Sequence, residues 1–221
     1  MIGIVIPTAL TAAMALAPIQ EDREQELSNH AGTIYGPTGL ISVPTAYSAK
    51  VRTADVNMFF GKDNRSAGAN FSLIKDIELG GTWVNRNGAN DRGFANAKIT
   101  IVPSNFKQFE VGAGVIDGFD AINRTFYVVG SATLATPDVS ADKVGQAVGF
   151  KIHAGVGTGL FRERLIGGAE LQFGQGFSVI GEYDARNFNG AIRYSHKDYF
   201  GVQAGFWNKG VFVGATTKLN F

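Results

Sequence analysis

The residues whose types could do chemistry here are three histidines, the pair Ser195-His196, the carboxylates Glu182 and Asp184, and the run Gly155-Val156-Gly157-Thr158-Gly159. A nucleophile needs its base within hydrogen-bond reach, but neighbours on a strand point to opposite faces, so Ser195 and His196 cannot act together. A metal needs converging ligands. His30, His153 and His196 have no metal-ligand spacing, and only His153 has acidic neighbours on its expected face. The glycine run lacks the lysine and following helix of a phosphate loop and reads as glycine in a crowded wall. Glu182 and Asp184 could share acid/base work, yet they more simply balance bases that face them. No catalytic residue, metal ligand or cofactor is therefore assigned, and the chain is not expected to be an enzyme.

The elements that must position these residues are strands. The last eleven residues alternate: Val211, Val213, Ala215, Thr217, Leu219 and Phe221 share one face, and Phe212, Gly214, Thr216, Lys218 and Asn220 the other. The same alternation begins near residue 51 and predicts twelve strands: 51–60, 66–75, 77–86, 94–103, 107–117, 124–135, 146–157, 163–173, 176–187, 190–196, 199–207 and 211–221. Short turn signals separate most of them, including Lys75-Asp76, Asn87-Gly88, Asn189-Gly190, Lys197-Asp198 and Asn208-Lys209-Gly210. Only 136–146 is long. Connections this short cannot hold crossover helices, so the sheet is expected to be an antiparallel meander.

Composition agrees. The 221 residues include 29 Gly and 17 Phe, with 18% charged residues and a net charge of +1. That is a strand-rich composition with no basic run, which gives no reason to expect nucleic acid as a partner. There is no cysteine, which excludes disulfides and a lipidated amino-terminal Cys. Residues 1–17 are apolar and end in Ala15-Leu16-Ala17, as a secretory signal peptide does, although no Lys or Arg precedes Arg23; a short strand or buried helix is the alternative. Residues 18–33 read as a polar linker. Residues 34–221 read as the barrel, opened by a structured lead-in loop, 36–46, whose glycines and prolines prevent a regular helix.

The charged face must meet water or partners. A soluble barrel or sandwich would bury the apolar face; a bacterial outer-membrane barrel turns it to lipid. The carboxy-terminal Phe221, with Leu219 two residues before it, resembles the signal read by the barrel-assembly machinery. Acids and bases at mid-strand favour an inward charged face, because a Lys or Arg facing lipid at mid-depth costs roughly 2–4 kcal/mol. Glu78, Lys98, Glu110, Lys151, Glu170, Glu182, Asp184, Arg193 and Lys218 are thus expected to face the lumen, and Trp207 with them. An Asn189-Gly190 turn would place Phe188 opposite Ala191, bring Asp184 within reach of Arg193, and leave Glu182 for another lumen base. An even number of strands puts both termini on the periplasmic side, with Asn87-Gly88 and 117–123 outside the cell and Lys75-Asp76 and 136–146 in the periplasm.

Asn96-Ala97-Lys98 followed by Val102-Pro103, Val111-Gly112-Ala113-Gly114-Val115-Ile116-Asp117, Tyr127-Val128-Val129, and Gly181-Glu182-Tyr183-Asp184 followed by Phe188-Asn189-Gly190-Ala191-Ile192-Arg193-Tyr194 join the 36–46 loop in a pattern that resembles the YjbH/GfcD-like outer-membrane family. The resemblance spans about 33–221. It implies an all-β transmembrane barrel in the bacterial outer membrane, associated with exopolysaccharide or capsule production, in contact with lipid, the assembly machinery and polysaccharide or export partners. Two functions stay open. One is a pore or envelope component linked to exopolysaccharide export, and the other is a plugged structural barrel that anchors or scaffolds partners. About eight strands fill their own interior and 16–18 leave a channel, so twelve does not decide between them.

Overall fold

Alternating β-branched and aromatic residues favour extended backbone because such side chains pack well across a pleated surface. Local turn chemistry then folds each strand back on the last. Asn208 and Lys209 adopt φ of 49° and 64° between the paired Trp207 and Gly210, the left-handed pair that a tight hairpin requires. Asp76, at φ 64°, lies in another two-residue turn, between the paired Ile74 and Ile77.

The computed structural model describes residues 31–86, 90–103, 108–134, 147–196 and 199–221. Two short strands, β1 (Ala31–Gly32) and β2 (Thr38–Gly39), pair with each other. Twelve longer ones follow: β3 (Thr53–Gly61), β4 (Asn64–Ile74), β5 (Ile77–Arg86), β6 (Arg92–Ile101), β7 (Phe109–Ile116), β8 (Thr125–Leu134), β9 (Ala147–Gly157), β10 (Arg164–Phe173), β11 (Phe177–Tyr183), β12 (Phe188–His196), β13 (Phe200–Trp207) and β14 (Gly210–Asn220). Each of the twelve pairs antiparallel with its sequence neighbour, and β14 closes on β3 from Phe212↔Gly61 to Asn220↔Thr53. The result is a closed all-β barrel with no free edge. One end, the loop end, carries the connections 61–64, 86–92, 116–125, 157–164, 183–188 and 207–210. The other carries residues 50–52 and Phe221.

The wall is apolar outside and polar inside. Phe188 and Leu165 are 87% and 71% exposed, whereas Arg193 and Lys151 are 1% and 0% exposed. Outward aromatics gather at the two ends: Phe60, Phe126, Phe188 and Phe206 at the loop end, and Phe177, Tyr199, Phe200 and Phe221 at the other. Aliphatic residues such as Val179, Ile192, Val202 and Val213 occupy the middle.

Twelve strands enclose more space than their own side chains fill, and the chain fills it with itself. Of residues 31–49, all but Tyr35 are buried. Gly112 and Gly168 are wall positions where this segment comes close: a Cβ on Gly112 would sit 2.8 Å from Ala46 Cα, and one on Gly168 would sit 2.5 Å from a Leu40 methyl. Apolar contacts complete the fit. Ile34, Leu40 and Ile41 pack with Phe59, Ile180 and Phe212, and Val43 and Ala46 with Phe94, Tyr127 and Phe161.

Two readings are corrected here. The polar linker expected over 18–33 ends earlier, because Ala31 pairs with Gly39, the Gly32 N–H donates to Asn57 Oδ1 at 3.2 Å, and Thr33 is buried. The hairpin expected at Asn189-Gly190 turns at 184–187 instead, so Glu182 faces Asn189 and Gly181 faces Gly190. Asp184 causes this shift: its Oδ1 accepts the N–H groups of Arg186 and Asn187 at 2.9 and 2.7 Å, fixing a side-chain-closed turn with Ala185 at φ 70°. Phe188 consequently points out. The proposed leader, 1–17, the linker residues 18–30, and the expected turns at Asn87-Gly88, 136–146 and Lys197-Asp198 lie outside the described residues.

Candidate functional site

A buried backbone segment must find partners for its own N–H and C=O groups. A segment threaded through a barrel cannot find them all within itself, so the wall has to supply them. The inward positions of alternating strands do so, and four buried charged residues, Glu78, Lys98, Glu182 and Arg193, carry most of the connection.

Glu78 on β5 and Lys98 on β6 stand directly opposite each other, with Nζ 3.3 Å from Oε2. Their remaining capacity goes to the segment. Glu78 accepts the Thr38 N–H at 2.8 Å, the Thr38 hydroxyl at 2.5 Å and the Ala49 N–H at 2.9 Å. Lys98 donates to the carbonyls of Thr38 at 3.1 Å and Tyr47 at 2.5 Å. One ion pair therefore clasps the segment at two points eleven residues apart.

Glu182 on β11 sits beneath a concave turn of backbone. It accepts the N–H groups of Ile41, Ser42 and Val43 at 2.9, 3.0 and 3.1 Å, and the Ser42 hydroxyl at 2.6 Å. Successive backbone N–H groups turned toward one point form an anion nest, and here the anion is a wall carboxylate. Asn189 on β12 holds that carboxylate from the far side, donating to Glu182 Oε1 and to Asp184 Oδ2, each at 3.0 Å.

Arg193 on β12 donates from Nη2 to the carbonyls of Gly39 and Leu40 at 3.1 and 2.6 Å. Its Nη1 lies 3.8 Å from Glu170 Oε2, and its Nε donates to Gln203 at 3.2 Å. Neutral wall groups finish the lining. Asn96 Nδ2 donates to the Tyr35 carbonyl at 3.0 Å, and Ser131 accepts the Ala46 N–H at 2.9 Å while bonding His153 Nδ1 at 2.8 Å.

Of the residues expected to face the lumen, Glu78, Lys98, Glu110, Lys151, Glu170, Glu182 and Arg193 are buried inside the barrel, Asp184 is buried in the turn at its loop end, and Lys218 is half-buried opposite Asp55 near the rim. Lys151 lies over the Tyr47 ring, 5.1 Å from its centre. Trp207 is half-buried and meets Tyr35 edge-on at 6.2 Å. Leu219 and Phe221 are exposed on the outer face. His153 is buried inside, and His196 is exposed beside Tyr194 and Phe200.

The structure does not bring Asp184 and Arg193 together. Arg193 faces Ser178, six residues down β11 from Asp184, or about 20 Å along the strand. Nor does Glu182 turn to a lumen base, because backbone amides take it. The cycle of Asp184→Asn with Arg193→Gln is accordingly expected to be additive within about 0.5 kcal/mol in denaturant unfolding, whereas the pairing of Arg193 with Glu170 should show coupling beyond that margin. Sequence reasoning placed the charges but missed Asn57, Asn96, Ser131 and Asn189, neutral inward residues that bond the segment or orient its anchors. Their signal was present as polar side chains on the charged face of each strand.

At the loop end, above Tyr35 and Ser42 of the segment, lies a cavity of about 290 Å³ lined by side chains from around the barrel mouth.

No family model and no curated protein matches this chain. Among solved structures it is similar to the KdgM porin (12% identity, TM-score 0.48, covering 76% of this chain and 99% of that one) and to the KdgM porin in complex with disordered oligogalacturonate (10% identity, TM-score 0.48, with the same coverage). It is also similar to the N-terminal β-barrel domain of Pseudomonas aeruginosa OprF (9% identity, TM-score 0.28, covering 76% and 98%).

Proposed function

We propose that this chain is a bacterial outer-membrane barrel held closed by its own segment 31–49, an envelope component and scaffold of an exopolysaccharide system and not an open export pore. Two features support the membrane setting. An outer face of exposed Phe, Leu, Ile and Val surrounds an interior of buried charges, the reverse of a soluble barrel. The outward aromatics also collect at both ends with aliphatics between them, as interfacial girdles do. Leu219 and Phe221, exposed on the outer face of the last strand, fit a role as the signal for the assembly machinery. The exopolysaccharide association rests on the resemblance to the YjbH/GfcD-like family.

The observation that carries the closed reading is the convergence of the Ile41, Ser42 and Val43 amides on Glu182 inside the barrel. Such a contact positions the segment as a fixed part of the wall. Planar-bilayer recordings test it. The full chain is expected to be electrically silent, while a variant in which a Gly/Ser linker replaces residues 31–49 conducts and still shows the heat-dependent gel migration of a folded barrel. Stable conductance by the full chain would overturn the reading, as would silence of the folded linker variant.

A further inference from the structure

The cavity at the loop end is built from both the wall and the segment that closes the lumen. Arg86 ends β5, and Arg186 sits in the turn between β11 and β12. In the closed strand order β5 and β11 are six strands apart in either direction, so the two arginines approach the mouth from opposite walls. Tyr35 of the segment lines the cavity with them. Neither guanidinium has an ion-pair partner among the described residues. Two acids and a further base, Asp63, Asp184 and Lys62, also line the cavity; Asp184 is already occupied by the amides of Arg186 and Asn187 and by Asn189, and Asp63 and Lys62 each have interactions of their own.

The floor is aromatic and the rim is amide. Tyr35 and Trp207 meet edge-on with an interplanar angle of 75°, and Asn64 and Asn123 stand beside them. Trp207 Nε1 and Asn64 Oδ1 are buried without a hydrogen-bond partner, leaving one donor and one acceptor unmatched next to the cavity. A planar anion suits the two guanidinium groups that line the cavity, an apolar ring face suits an aromatic floor, and hydroxyls suit side-chain amides that both donate and accept. A volume of about 290 Å³ is at the small end of the range for ligand sites, near 300 Å³.

We propose that this cavity binds an acidic sugar residue, with its carboxylate held by Arg86 and Arg186 and its ring on Trp207 and Tyr35. A bare phosphate would use the arginines alone and leave the aromatic floor and the amides without a role. The proposal rests on the reading of the loop end as the outward mouth of a closed barrel. Binding to detergent-solubilised protein tests it separately from the conductance test of closure.

Titration calorimetry would use three probes: a glucuronic-acid-containing disaccharide (cellobiouronic acid), its neutral counterpart cellobiose, and inorganic phosphate. The acidic disaccharide is expected to bind, with cellobiose and phosphate each at least about tenfold weaker. Arg86→Gln and Arg186→Gln should each weaken the acidic disaccharide by about tenfold or more, and Trp207→Leu should weaken it as well, while heat-dependent gel migration shows that each variant is folded. Three results would overturn the proposal: no binding of the acidic disaccharide at millimolar concentration, equal affinity for cellobiose or for phosphate, or unchanged affinity in both arginine variants.

Discussion

Replacing Glu182 by leucine is expected to cost about 4–5 kcal/mol of unfolding free energy and to release the segment from the lumen. The carboxylate is the common acceptor of three consecutive backbone N–H groups and one hydroxyl, all of them buried. Leucine leaves those amides with no acceptor, and an unmet buried donor costs about 1–3 kcal/mol. Three such donors sum to about 3–9 kcal/mol, and the lower half of that range is expected because the freed 41–43 turn can relax toward water as the segment shifts. Asn189 loses a partner in the same step. Glutamine, which keeps one acceptor oxygen, should fall between wild type and leucine. Guanidinium unfolding in detergent gives the stability, and bilayer recordings give the opening. A leucine variant as stable and as silent as wild type would remove Glu182 as an anchor.

The second large effect is expected at the clasp. Lys98→Met should destabilise the barrel by about 3–5 kcal/mol, because it leaves the Glu78 carboxylate buried without its cation and removes the donor shared by the Thr38 and Tyr47 carbonyls. Glu78→Gln alone should be costly for the same reason in reverse. Combining Lys98→Met with Glu78→Gln should cost clearly less than the sum of the two, since the double variant buries no unpaired charge. Denaturant midpoints of the four proteins check this. Simple additivity would mean that each residue holds the segment independently and that the ion pair itself contributes little.

Much of the wall was legible because a strand imposes a period of two. Val148, Phe150, Ile152 and Val156 alternate with Lys151 and His153, and any error of one residue would have sent a lysine outward. Strand positions follow from that constraint to within a few residues, as does the inward location of Glu78, Lys98 and Arg193. Turns were legible only where local chemistry acts alone. Asn208-Lys209 turns where the sequence predicts a turn. Asn189-Gly190, the stronger hairpin dipeptide, does not turn, because Asp184 closes an earlier turn with its own carboxylate and Asn189 is required inside, between Glu182 and Asp184.

By itself, then, the sequence determined an antiparallel meander of about twelve strands with its charges on one face, since periodicity, turn spacing and the cost of a misplaced charge are all local properties. What occupies the interior was decided by tertiary structure alone. The contacts that close the lumen join residues far apart in the chain: Ile41 to Glu182 across 141 positions, and Gly39 to Arg193 across 154. No period links such residues, and a Gly- and Pro-containing loop looks the same in sequence whether it lies on a rim or inside a barrel. Only when the wall closes do Glu78, Glu182 and Arg193 surround one volume, and the segment 31–49 then becomes the piece of chain that satisfies them.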